Sequence, residues 1–167
     1  MEETPALSGA EREVWRSFYS MRRQLDRALD LQLQRDSGLS ASEFEILVAI
    51  DFAPERQLRI KEIAGSIGWE KSRVSHLVTR MERRGLVSRT ECATDARGSW
   101  IGLTASGRRA LLGATRGHSA TIRRYFFEVL SAEELAVLDS VSGRVVEAIG
   151  CGADEDAQPD ELQAESA

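Results

Sequence analysis

The stretch Trp69–Thr104, WEKSRVSHLVTRMERRGLVSRTECATDARGSWIGLT, decides the fold. Val74, Leu77, Val78 and Met81 recur at i, i+3, i+4 and i+7 and give a helix one apolar stripe. Ser72, Ser75, His76, Thr79 and Arg83 share the opposite face. Gly85 stands where a left-handed residue stops a helix. Leu86 and Val87 open an extended run that pairs with Trp100, Ile101 and Leu103, across a tip carrying Thr94, Asp95, Arg97 and Gly98. A helix that is half core and half polar surface, a glycine stop and a hairpin with an arginine at its apex predict a winged helix-turn-helix.

Working outward, Lys61–Ile67 reads as a short helix with Ile63, Ala64 and Ile67 inward, turned at Gly68 into the reading helix. Leu58–Ile60 is read as a small third strand. Ser40 and Glu43 form a capping box for a helix over Ala41–Ala53, with Phe44, Leu47, Val48 and Ile50 as its core residues and Pro54 beyond its end. From Glu11 to Arg35 one long helix carries Val14, Phe18, Met21, Leu25, Leu29 and Leu33 on one face, beside a strip of Trp15, Tyr19 and Arg22. At ~1.5 Å per residue it is roughly 35 Å long, longer than a compact winged domain needs. After the hairpin, Thr104 caps a helix from Ala105 to about Leu130, weakened by Gly107, Gly113 and Gly117. These glycines either loosen it or let other helices approach. Ser131 and Glu134 box the start of a last helix, Ala132–Ile149, with Leu135, Leu138, Val141, Val145 and Ile149 on its apolar face.

The fold class expected is mainly α with a small β-hairpin wing. The divisions are a flexible lead (1–10), an N-terminal dimerisation helix (11–40), a winged DNA-binding domain (41–104), C-terminal dimerisation helices (105–149) and an acidic disordered tail (150–167). The terminal helices carry more apolar surface than one winged domain can cover. They are therefore expected to pack against a second copy, giving a homodimer.

Charge fits a polyanionic partner once it is mapped. The 167 residues sum to −5, but the tail beyond Gly150 holds six acidic and no basic residues, leaving +1 for the rest. Between Trp69 and Arg97, seven basic residues face four acidic ones, which marks a DNA-binding surface or simply a solvated face. Two cysteines and two histidines without ligand spacing suggest neither a disulfide framework nor a metal site, and no cofactor is expected. No Ser-His-Asp spacing or Gly-rich phosphate loop points to an enzyme. No secretory segment or long apolar run is present, so a cytoplasmic protein without membrane contact is expected.

From about Val14 to Ile149 the chain resembles the MarR family of winged-helix transcriptional regulators. The resemblance is carried by Asp95-Ala96-Arg97 followed by Ile101-Gly102-Leu103-Thr104. It extends to Lys71-Ser72-Arg73-Val74-Ser75 and to Arg80-Met81-Glu82-Arg83-Arg84-Gly85-Leu86-Val87. It implies a homodimer on a pseudo-palindromic double-stranded DNA operator, a repressor released by a small, aromatic or phenolic ligand or by an oxidant. The alternative is a constitutive winged-helix DNA-binding or protein-interaction module without a ligand switch. Carried over, Arg97 enters the minor groove with Asp95 orienting its guanidinium. Ala96 stands where many relatives have a second basic residue.

Arg73 and His76 are candidates for base edges, and Ser72, Ser75 and Thr79 for phosphate or sugar contacts. Lys71 and Arg83 add sequence-independent attraction. Arg80 either touches phosphate or braces the wing. In relatives, ligands sit between the first helix and the winged domain. There Trp15, Arg16 and Tyr19 offer stacking surface and a cation for an aromatic carboxylate, or are plain packing residues. The peroxide-sensing branch places a reactive cysteine near the first helix, whereas the first cysteine here is Cys92, beside the wing.

Overall fold

The computed structural model describes residues 6–92 and 95–155; for 91, 92, 95–98 and 151–155 it describes the backbone alone. The element order is α1 (Gly9–Ser37), α2 (Ala41–Phe52), β1 (Gln57–Arg59), α3 (Ile60–Ile67), α4 (Lys71–Arg83), β2 (Val87–Cys92), β3 (Asp95–Leu103), α5 (Ala105–Tyr125), a 3₁₀ turn (Phe127–Val129) and α6 (Ala132–Glu155). The chain divides into two compact units, 1–123 and 124–167.

In the first unit, α2, α3 and α4 wrap a core closed by a three-stranded antiparallel sheet of order β1-β3-β2. Leu58 pairs with Ile101, and Arg89 pairs with the same residue from the other side. The stripe read on α4 is the centre of this core: Val74, Leu77, Val78 and Met81 are all buried. At about 1.5–3 kcal/mol per buried aliphatic side chain, these four are the largest apolar contribution to holding the reading helix in place. Ile46, Leu47 and Ile50 face them from α2, while Phe44 and Val48, expected in the core, pack half-buried against its edge.

Helix ends follow local chemistry. Ser40 and Glu43 form the reciprocal box read in the sequence. Gly85 takes φ +69°, and the Leu86 N–H reaches back to the Met81 carbonyl at 2.9 Å, closing α4 as a left-handed glycine stop does. Thr104 caps α5 through a 3.0 Å bond from the Gly107 N–H.

Several expectations are corrected. Ser8 and Glu11 form a capping box, so α1 begins at Gly9, inside the stretch read as a flexible lead; residues 1–5 lie outside the described residues. Cys92 pairs with Asp95, so Asp95, Arg97 and Gly98 belong to strand β3 and not to the hairpin tip. Thr94 lies outside the described residues. Helix α5 ends five residues early, because Phe126 leaves helical dihedrals (φ −123°, ψ −62°) and a 3₁₀ turn follows. Helix α6 continues past Gly150 to Glu155, since that glycine is not among those with positive φ and so does not stop the helix. Of the tail expected to be disordered from 150, residues 150–155 are helical and 156–167 lie outside the described residues.

Two of the three glycines of α5 are contact glycines. A Cβ on Gly107 would lie 1.9 Å from the Leu86 carbonyl oxygen, and one on Gly117 would meet Asp36 and Gln32 of α1. Gly113 has nothing within 4 Å.

Only the C-terminal third of α1 enters the core, through Leu33 and Gln32. Val14, Trp15, Phe18, Tyr19 and Met21 are exposed in the single chain. Within the second unit, Val137, Val141, Val145, Val146 and Ile149 of α6 are exposed as well. Among the described residues, no helix is long and apolar enough to cross a membrane.

Candidate nucleic-acid interface

With its apolar stripe buried, α4 presents Lys71, Ser72, Arg73, His76, Arg80 and Arg83 on its exposed side, and Ser75 and Thr79 half-buried at the margin. This places the sequence-predicted candidates of the reading helix on one element with one outward face.

The geometry assigns them different duties. The Arg73 guanidinium stacks over the Trp69 ring at 3.7 Å from its centroid. That contact restrains a long side chain at the start of the helix, while the in-plane N–H groups stay free to fork onto an acceptor. Arg73, His76 and Arg80 share a cleft of about 520 Å³ with Ser40 and Ser42 at the N-terminus of α2. A helix N-terminus carries a partial positive charge, and beside arginines it suits a phosphate oxygen. Ser42 was not anticipated from the sequence, because α2 is separated from α4 by β1 and α3 and meets it only in the folded core.

Thr79 is corrected. Its hydroxyl donates to the Ser75 carbonyl at 3.0 Å and accepts from Arg89 Nη2 at 3.0 Å. A hydroxyl has one hydrogen to give, so Thr79 cannot also donate to phosphate without breaking the first bond. The same arginine of β2 meets Glu82 through Nε at 2.9 Å. Arg89, which sequence reading passed over, is therefore the brace between wing and reading helix. Arg80, for which two roles were open, lines the cleft beside α2. The brace is partly exposed and worth under about 1 kcal/mol; its effect is orientation of the wing.

A second fixed point lies at the far end of α4. Arg84 donates to Glu43 Oε1 at 2.6 Å and to the Gly38 carbonyl at 2.8 Å. Glu43 is 2% exposed, and its other oxygen accepts from the Ser40 N–H and hydroxyl at 3.0 and 3.2 Å. Burial works against the Glu43 charge, but the hydrogen bond from the Ser40 backbone, and then Arg84, outweigh it and hold the carboxyl below its usual value. The α1–α2 elbow is thus locked to the end of the reading helix across 41 residues of sequence.

The side chains of Asp95, Arg97 and Cys92 lie outside the described residues; their backbone forms the outer β2–β3 ladder. The Trp15 ring stacks on Tyr19 at 6.4 Å and tilts against Phe18 at 5.8 Å. With exposed Arg16 this strip forms a surface row on α1. None of Trp15, Arg16 and Tyr19 lines the apolar cleft of this unit, about 480 Å³, which is walled by α1, α2 and α5 further along α1. Among the described residues, no cluster of three or more His, Cys, Asp or Glu could hold a metal ion.

Comparison with known proteins places this arrangement. A sequence profile of the MarR family matches residues 37–98. The structure is similar to that of AbsC, a MarR family transcriptional regulator from Streptomyces coelicolor, with 33% identity, TM-score 0.81, and 87% of this chain and 98% of that one covered. It is equally similar to a second MarR family regulator of the same organism, solved in complex with DNA, with 33% identity, TM-score 0.81 and 97% of each chain covered. The PcaV regulator of S. coelicolor shares the fold at 23% identity and TM-score 0.67, over 87% of this chain and 99% of that one. No match is found among curated protein sequences.

Proposed function

The chain belongs to the MarR family of DNA-binding transcriptional regulators, and from that premise we propose that it acts as a homodimeric repressor whose hold on a pseudo-palindromic operator is released by a small ligand. The observation that carries the DNA reading is the face of α4. Lys71, Arg73, His76, Arg80 and Arg83 stand outward on a helix whose opposite stripe is wholly buried. Such a helix fits a major groove, with Arg73 and His76 toward base edges and Lys71, Ser72, Ser75 and Arg83 toward the backbone. The phosphate cleft at Ser42 and Arg80 adds a further backbone contact. Arg97 on the wing is assigned to the minor groove, with Asp95 as its partner, by the family resemblance.

The exposed apolar rows of α1 and α6 support the dimer, each being a surface that a second copy would cover. Two reading heads would then face successive major grooves about 34–36 Å apart. Ligand release is supported by the apolar cleft of the first unit and by PcaV, which was solved with its natural ligand. The protein acts where its operator is, in the cytoplasm.

Selection from a random duplex library tests the proposal. An enriched inverted repeat is expected, bound with an affinity that falls steeply with salt because several phosphates are neutralised. Arg97→Ala is expected to weaken that binding while leaving the melting temperature unchanged. No enrichment and a flat salt dependence would refute the DNA reading.

A further inference from the structure

The regulator reading gives this chain a small-molecule effector but not its chemistry, and the inference drawn here rests on that reading. The cleft between α1, α2 and α5 has a volume of about 480 Å³, within the usual range for organic ligands. Leu29, Leu33, Phe44 and Val48 make its body apolar, and three polar residues border it: the exposed Asp26 of α1 and Glu45 of α2, and the half-buried His118 of α5.

The charge of that set is one-sided. No lysine or arginine is among the described lining residues. Asp26 and Glu45 have no ion-pair partner within 4.0 Å among the described residues. Burial lowers the His118 pKa and so disfavours its cationic form. Its Nδ1 is shielded from solvent without a hydrogen-bond partner. The ring lies 4.6 Å from that of Phe44. An anion entering here would meet two carboxylates and no lysine or arginine among the described lining residues. An ammonium would meet two acceptors and an aromatic face.

We propose that this cleft binds a compact organic cation, an amine on an aromatic or alicyclic body, with the ammonium held by Asp26 and Glu45 and the body against Phe44, Leu29 and Val48. The class is opposite in charge to the aromatic carboxylate that Trp15, Arg16 and Tyr19 suggested from sequence. Glu45 also connects the cleft to the reading helix. Its carboxyl is raised by desolvation, and the charge of Arg73 acts against that rise. A bound ammonium would share the field of that carboxylate with Arg73, which makes no ion pair with it, and would so couple occupancy of the cleft to a DNA-reading side chain electrostatically.

The test is calorimetry on the full-length protein with two probes of matched shape and opposite charge, phenethylamine and phenylacetate, repeated with benzyltrimethylammonium. The amines are expected to bind about tenfold more tightly than phenylacetate, and Asp26→Asn with Glu45→Gln to remove that preference. Wild-type affinity for the selected operator is expected to change with phenethylamine, and that of Glu45→Gln is not. Phenylacetate binding as tightly as the amines, amine binding unaffected by the double substitution, or no amine binding at millimolar concentration would each overturn the assignment. Operator binding on the same preparations separates the two readings. DNA bound without any amine effect removes the cation proposal alone. Amine bound without DNA binding removes the regulator reading and leaves the cleft standing.

Discussion

Replacing Arg84 with Met removes the lock between the α1–α2 elbow and the end of the reading helix while keeping most of the side chain's bulk. Breaking a fully buried ion pair costs about 3–5 kcal/mol, because the remaining charge is stranded. Here Glu43 is 2% exposed but the Arg84 side chain is 45% exposed, so water can partly replace the guanidinium. The carboxylate also keeps its two contacts from Ser40. The expected loss is therefore about half the buried figure, ~1.5–2.5 kcal/mol. That corresponds to a fall in melting temperature of roughly 4–10 °C for a chain of this size. Glu43→Gln should cost less, and the double variant should fall short of the sum of the two by about 1–2 kcal/mol. Urea melts at fixed chain concentration measure all three, and operator titrations show whether the reading helix has lost its aim. Because Glu43 is held below its usual 4.5, the stabilisation is present above that pH and is lost as pH falls through the lower folded value. The gap between wild type and Glu43→Gln should accordingly narrow in acid. An Arg84→Met variant within about 0.5 kcal/mol of wild type, or strictly additive double-variant costs, would refute the lock.

The glycines of α5 should behave oppositely. Gly107→Ala drives a methyl group into the Leu86 carbonyl and should cost about 1–3 kcal/mol despite the better helix propensity of alanine. Gly113→Ala, with open space around it, should stabilise by about 0.5–1 kcal/mol; urea midpoints that rank the pair the other way would show the α5 approach to be misread. Arg89→Met should leave the midpoint nearly unchanged and weaken operator binding, since it frees the wing from Thr79 and Glu82; unaltered binding would remove the brace from the mechanism. Val145→Glu places a charge on the exposed row of α6 and should yield monomers in sedimentation with weakened operator binding, whereas a variant that stays dimeric puts the interface elsewhere.

Most of the winged unit was legible because its signals are local. The α4 stripe needs only the helical period, the stop at Gly85 needs only a residue that tolerates positive φ, and the boxes at Ser40 and Ser131 each need one pair three residues apart. Even the missed box at Ser8 and Glu11 was a local signal, obscured by Pro5 and Gly9 around it. The wing was misjudged in register: Asp95, Arg97 and Gly98 read as turn residues because Asp and Gly favour turns, but the β2–β3 ladder runs out to the Cys92–Asp95 pair, beyond the segment that β1 covers.

What the sequence by itself determined was the set of elements, the face of α4 that goes inward, and hence the class of partner that its outward face fits. Those follow from periodicities of a few residues, which survive any packing consistent with them. What only the tertiary structure decided was which polar groups are already committed. Arg89 reaches Thr79 and Glu82, Arg84 reaches Glu43, and Asp26, Glu45 and His118 meet in one cleft. Each of these joins residues that are distant in the chain, or depends on which neighbour reaches a shared atom first. Such choices are made when helices from separate segments close on a common core, and no local pattern records them.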